Sequence, residues 1–215
     1  LLAMVVGLVI AEPDLGTAVV IIATAVVLYF LSGAPIPHLL VLVPLLVGGV
    51  VILAVISPYR LSRLVTFLNP ESDPLGSSYQ IRQALLGLGS GGFWGVGIGK
   101  SRQKFEYLPE ANTDSIFAII GEEVGFLGAT LLILLFWLLV WRGFRIGRMA
   151  PDQFGRLLAL GISSWIGIQT AINLAANVAL VPLTGIPLPL ISYGGSSLIV
   201  VLAALGIVAN ISRHR

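Results

Sequence analysis

Charge and cysteine are what this sequence lacks. Only 10% of its 215 residues are Asp, Glu, Lys or Arg, and 57% are hydrophobic. A water-soluble domain carries about 25% charge, so that class is excluded and an integral membrane protein is implied. The absence of cysteine removes disulfides, thiolate nucleophiles and Cys-ligated metals. The 12 basic and 10 acidic residues net +2, too little for a nucleic-acid partner. The chain opens at Leu1 with no basic n-region, which does not read as a signal peptide. Residues 1–11 are apolar but fall short of the ~20 residues a span needs. The expectation is a truncated first helix at the start of the C-terminal part of a longer protein.

Long apolar runs are what the sequence has. Asp14 and Arg60 bracket a stretch without acids, lysine or arginine, interrupted by Ser32-Gly-Ala-Pro-Ile-Pro-His38, where Pro and Gly end helices. Further runs give an expected all-α polytopic bundle. Its five full transmembrane helices lie near 17–31, 39–57, 124–141, 157–181 and 192–211, because backbone in lipid must satisfy its own hydrogen bonds. The 142–156 connection holds Arg142, Arg145, Arg148 and Arg156 against Asp152, and Arg213 and Arg215 close the chain. The positive-inside rule makes both cytoplasmic. Residues 11–16, a long loop at 58–114 and residues 182–192 are then extracytoplasmic, and residues 1–215 read as one transmembrane domain.

The long loop has its own features. Residues 77–88 read as a short amphipathic helix lying on the membrane. Gly87, Gly89 and Gly92 match G-x-G-x-x-G by spacing, but no βαβ unit surrounds them. Gly99-Lys100-Ser101 resembles the end of a P-loop whose first glycine would fall on Trp94, so that motif fails. The glycines either bring backbone close to a ligand or membrane surface or simply make a tight loop.

Four of the chain's 10 acids, Glu110, Asp114, Glu122 and Glu123, fall within a few turns of one another. Asn112 or Thr113 could cap a helix there. If helix runs on from Asp114, Glu122 lies ~12 Å deeper on roughly the same side and Glu123 points away. Glu122 and Glu123 then read as structural, at the interface or paired with arginines. Asp114 ranks first as a functional carboxylate, with Glu110 and the basic residues Lys100, Arg102 and Lys104 before it. Asp14 caps the helix that follows it or joins a site. Gln169, Asn173 and Asn177 recur every four residues on one helix face, as interhelical hydrogen-bonding groups or as the polar wall of a cavity. Acids, cations and a glycine-rich loop beside membrane helices suit an anionic amphiphile such as a lipid-linked sugar diphosphate. A carboxylate can take a hydroxyl proton and cations can neutralise a diphosphate leaving group. A transporter of such a lipid and a non-catalytic scaffold remain open on these grounds.

Three ordered motifs carry a family resemblance: Glu12-Pro-Asp-Leu-Gly-Thr17, Tyr107-Leu-Pro-Glu-Ala-Asn-Thr-Asp-Ser-Ile-Phe-Ala-Ile-Ile-Gly-Glu-Glu123 and Leu188-Pro-Leu-Ile-Ser-Tyr-Gly-Gly-Ser-Ser197. They resemble the SEDS family (FtsW, RodA, SpoVE) over essentially the whole chain, and the 101–111 run is closest to the FtsW/SpoVE branch. The resemblance implies a ten-helix bundle of which this chain is the C-terminal part, from the fifth helix on. It implies a peptidoglycan glycosyltransferase that polymerises lipid II at the outer face of the bacterial cytoplasmic membrane, in division or cell-shape maintenance. The implied partner is a class B penicillin-binding protein. Lipid II flipping or a scaffold role for the transpeptidase are the alternatives. The family's essential loop aspartate falls on Asp114, with Lys100, Arg102, Lys104, Glu110, Asp14, Asn177, Ser192 and Gly194 as substrate-binding candidates. A divalent cation, Mg²⁺ or Mn²⁺, could join the carboxylates. The family's His-Thr-Asp-Phe reads Asn112-Thr-Asp-Ser115 here. This segment alone is expected to be inactive.

Overall fold

The computed structural model describes residues 2–12, 14–69, 78–104, 108–110 and 112–213. These form helices α1 (Leu2–Ala11), α2 (Leu15–Leu31), α3 (Ile36–Ile56), α4 (Pro58–Leu68), α5 (Tyr79–Gly91), α6 (Ile116–Arg148), α7 (Gln153–Asn177) and α8 (Gly195–Arg213). No strand occurs among the described residues. Four of the helices, α3, α6, α7 and α8, are long and apolar enough to cross a membrane, and α2 is a shorter apolar helix of 17 residues. Each expected span therefore meets a helix.

The starts follow local chemistry. Asp14 accepts the Thr17 N–H at 2.9 Å and opens α2, satisfying a donor that a helix N-terminus leaves orphaned. Asp152 does the same for α7 through Gly155 N–H at 2.7 Å. Prolines at the first turns of α3 and α4 cost no intrahelical bond. α6 packs on α7, α5 on α6 and α2 on α7, whereas α3, among the described helices, touches only α2 and α4.

The 58–114 stretch is more ordered than an irregular loop, since it holds α4 and α5; its residues 70–77, 105–107 and 111, like Arg215, lie outside the described residues. The amphipathic helix expected from residue 77 is α5. Its small and apolar residues Ile81, Ala84, Gly87 and Gly91 are buried, and the helix docks on α6.

α6 is 33 residues long, roughly 50 Å, and it is broken at Gly125 (φ 68°, ψ −169°). The glycine-rich segment after α5 repairs the break. Val96 and Gly97 donate N–H to the carbonyls of Glu122 and Glu123, both at 3.0 Å, while Phe126 and Leu127 donate to the carbonyls of Gly92 and Phe93 at 2.9 and 3.3 Å. The carbonyls ending the first half-helix and the N–H groups opening the second are thus both paired, as buried backbone requires. The glycines bring backbone against backbone, which neither sequence reading anticipated.

The Glu pair anchors the same region. Glu122 is 2% exposed and accepts from the Ser101 hydroxyl and from Arg102 and Gln103 N–H at 3.1 and 3.3 Å. Glu123 pairs with Lys104 at 3.5 Å. The structural reading of both holds, with the 101–104 turn as partner in place of arginines.

Candidate functional site

Asp114 sits two residues before α6 and 8% exposed. Neither Asn112 nor Thr113 caps that helix: Ser115 is the N-cap residue, with no capping side-chain bond, and the Thr113 hydroxyl turns back to Glu110, 2.7 Å from its carboxylate and 3.1 Å from its carbonyl.

Three successive carbonyls of the turn are gripped from outside. Tyr193 N–H donates to Asn112 O at 2.8 Å, and the Ser192 hydroxyl donates to Thr113 O. The Asn173 and Asn177 amides both donate to Asp114 O at 2.8 Å. The gripping segment is itself tied to α7, because Asn173 also donates to Ile186 O at 2.7 Å and Gln169 to Pro187 O at 2.9 Å. Leu188 N–H closes the turn onto Ser192 Oγ at 2.7 Å. The 112–114 turn is fixed by four donors, two of them on Asp114 O, and none of the four engages the Asp114 carboxylate.

The carboxylate faces α5. Gln80 Nε2 lies 3.4 Å from each oxygen and 3.0 Å from Ser115 Oγ. Burial pushes the Asp114 carboxyl above the ordinary aspartate range; its backbone bond and Gln80 pull the other way, Glu110 adds to the rise and Arg63 opposes it. Desolvation disfavours the charged form and makes the ionised group a better proton acceptor.

Beside this site lies a cavity of ≈ 490 Å³ whose lining includes Glu12, Asp14, Arg60, Arg63, Val50 and Val51. Arg63 donates to Leu183 O at 3.0 Å. One wall of the cavity carries two guanidiniums, and α2 and α3 supply apolar Val19, Val50, Val51 and Ala54. The shape suits an amphiphile with an anionic head.

Of the sequence candidates, the structure gathers Asp114, Glu110, Asn177 and Ser192. Asn177 is 2% exposed, so it acts on Asp114 and not on a ligand surface. Gly194 accepts the first bond of α8 from Leu198 N–H at 2.9 Å, next to Tyr193. Asp14 caps α2 and lines the neighbouring cavity. Lys100, Arg102 and Lys104 are exposed and belong to the turn anchored at Glu122 and Glu123, about two helical turns along α6. Among the described residues, no three His, Cys, Asp or Glu side chains assemble as a metal-holding group.

Sequence reasoning passed over Arg63 and Gln80, whereas Asn173 fills the interhelical hydrogen-bonding role its helix face suggested. Arg63 had a signal. Ser57-Pro58 marks a helix start, and on that helix Arg60 and Arg63 share a face. Gln80 had none, since only α5 docking on α6 brings it to Asp114.

Two expectations follow. Asn173→Leu or Asn177→Leu alone leaves the Asp114 carbonyl one donor and is expected to cost about 1–2 kcal/mol. The double variant orphans that buried carbonyl and is expected to exceed the sum. Thermal unfolding in detergent checks this, and strict additivity would contradict the shared grip. Second, with the folded value of Asp114 raised, the native state binds more protons between the unfolded and folded values. This group's contribution to stability therefore falls as pH rises through that window. Asp114→Asn is expected to flatten that slope and raise stability above it, read as melting temperature against pH.

The architecture and site define a class: a multi-pass helical membrane protein with a buried carboxylate held rigidly at one end of the bundle. The chain belongs to the FtsW/RodA/SpoVE family, whose model, described as "Cell cycle protein", matches residues 1–215. Stage V sporulation protein E of Bacillus subtilis is 50% identical over 96% of this chain and 57% of its own length. A probable peptidoglycan glycosyltransferase FtsW from Coxiella burnetii is 46% identical over 96% of this chain and 56% of its own. Among solved structures, a chain of a peptidoglycan synthase complex, studied for its coordination of polymerization and crosslinking, aligns with TM-score 0.78 and 34% identity over 100% of this chain and 60% of its own. The rod shape determining protein RodA of Thermus thermophilus aligns with TM-score 0.64 and 33% identity over 100% of this chain and 54% of its own. The chain spans about half the length of the curated relatives it matches.

Proposed function

We propose that this chain carries the catalytic base of a peptidoglycan glycosyltransferase that polymerises lipid II at the outer face of the bacterial cytoplasmic membrane. The observation that carries the reading is Asp114: a carboxylate in a low-dielectric setting, its backbone clamped by Asn173, Asn177, Ser192 and Tyr193 and its oxygens free of any strong ion pair among the described residues. Sequence relatives include proteins named as probable peptidoglycan glycosyltransferases.

In this reading Asp114 takes the proton from the acceptor GlcNAc 4-hydroxyl. That oxygen attacks C1 of the donor MurNAc, the C1–O bond to undecaprenyl diphosphate breaks, and the configuration inverts. Arg60 and Arg63 are placed to receive a diphosphate, with Val19, Val50, Val51 and Ala54 along the start of a polyprenyl chain. Guanidinium forks suit phosphate oxygens. A class B penicillin-binding protein would crosslink the product, consistent with the peptidoglycan synthase complex among the structural relatives. The arginine end, with the C-terminus, is cytoplasmic, and the role lies in division or cell-shape maintenance.

The test is the full-length protein with its partner transpeptidase in lipid II-containing vesicles, assayed for glycan strands and for lipid II translocation. Polymer without a requirement for translocation supports the proposal. Translocation without polymer would replace it with a flippase, and loss of both with the transpeptidase still bound would leave a scaffold.

A further inference from the structure

The end of the bundle opposite Asp114 holds a separate feature. Trp137, Val140, Trp141, Phe144, Arg145 and Arg148 of α6 line one groove of ≈ 460 Å³. Their spacing of three and four residues puts them in a single stripe, and the stripe grades from apolar to cationic along the helix. The Trp137 and Trp141 rings lie 9° from parallel with centroids 6.2 Å apart. Arg145 extends the stack, with its guanidinium carbon 5.7 Å from the Trp141 centroid, and Arg148 follows one turn on. Both tryptophans and both arginines are exposed.

Charge selects the occupant. Among the described residues, no carboxylate forms an ion pair with Arg145 or Arg148. Asp152, the acid at this end, already accepts the Gly155 N–H as the cap of α7. An apolar helix laid in the groove would leave two guanidiniums unanswered. A zwitterionic headgroup brings its own cation to its phosphate. An anionic headgroup answers both arginines, and a planar fork held over an indole loses little freedom on binding phosphate.

We propose that this stripe binds an anionic glycerophospholipid, its headgroup phosphate between Arg145 and Arg148 and its glycerol and upper acyl chain on the Trp137–Trp141 slab. Basic pockets at membrane helix ends select such headgroups, and the aromatic pair supplies the apolar floor that a free phosphate would not need. The site is independent of the chemistry at Asp114.

The experiment uses full-length protein with every tryptophan except Trp137 and Trp141, Trp94 and Trp165 among them, changed to Phe, so that fluorescence reports that pair. It is reconstituted in phosphatidylcholine vesicles containing either phosphatidylglycerol or phosphatidylcholine brominated near the top of the acyl chain, which quenches adjacent indoles. Half-maximal quenching is expected at a mole fraction of brominated phosphatidylglycerol on the order of tenfold lower than for brominated phosphatidylcholine. Combining Arg145→Gln with Arg148→Gln is expected to bring that ratio below about twofold. Arg142→Gln, which alters a groove shared with α7 and α8, is expected to leave it unchanged. Equal quenching by the two lipids overturns the proposal. So does unchanged selectivity in the double variant, or an equal loss with Arg142→Gln, which would mean diffuse surface charge. Protection of the indoles from both lipids by the co-reconstituted transpeptidase would make the groove a protein interface and also overturn it.

Discussion

Changing Asp114 to asparagine in the full-length protein is expected to lower glycan polymerisation by on the order of 10²–10⁴-fold while the protein stays folded. The two halves of that expectation have different causes. Folding persists because the four bonds that fix the 112–114 turn end on its carbonyls, not on the Asp114 side chain. Asparagine has nearly the same shape, and Gln80, 3.4 Å from both oxygens, can still donate to the amide oxygen. Activity is lost because an amide cannot accept a proton from the attacking hydroxyl. Aspartate-to-glutamate keeps the base but moves it outward by one methylene, and a displacement near 1 Å is costly at a reacting centre. Lipid II polymer resolved on gels, compared at equal melting temperature, measures both halves. Near wild-type polymer from Asp114→Asn would remove Asp114 from the mechanism.

Gly125→Ala is expected to destabilise the protein by more than about 3 kcal/mol, a fall of about 10 °C in melting temperature for a chain of this size. At φ 68° and ψ −169° Gly125 occupies a region that essentially only glycine tolerates. An added Cβ would lie 2.3 Å from Gly95 N, 2.6 Å from Trp94 C and 2.7 Å from Phe93 O. All three are backbone atoms, so no side chain can swing aside. Moving the 92–97 segment away would unpair the carbonyls of Glu122 and Glu123 and the N–H groups of Phe126 and Leu127 together. Gly99→Ala is the comparison. Its φ is also positive, at 80°, but nothing lies within 4 Å of its added Cβ, so only the ~1–2 kcal/mol of left-handed strain applies. Similar losses in the two variants would mean that the backbone splice does not hold α6 together.

The bundle was readable because apolar length is a one-dimensional signal. Each expected span meets a helix, and Asp14 caps α2 just as the residue type and position suggest. Asp114 stood out among four clustered acids because it lies where the polar loop turns into apolar sequence, after Glu110 and a basic run, and the family motif then marked the same residue. The sequence misled where function depends on what folds against what. Lys100, Arg102 and Lys104 looked like companions of Asp114, yet Glu122 and Glu123 draw their turn along α6. Asn177 was a substrate-binding candidate, yet its amide is spent on the Asp114 carbonyl.

The amino-acid order by itself determined a helical membrane protein with one foremost carboxylate, because lipid forces helices and tolerates few charges. Tertiary structure alone decided that Gln80 reaches that carboxylate and that the Arg63 charge acts on it, that two α7 amides hold its backbone, and that the glycine-rich segment repairs a broken helix. Those are contacts between segments distant in sequence, and neither spacing nor periodicity records which distant segment a side chain will meet.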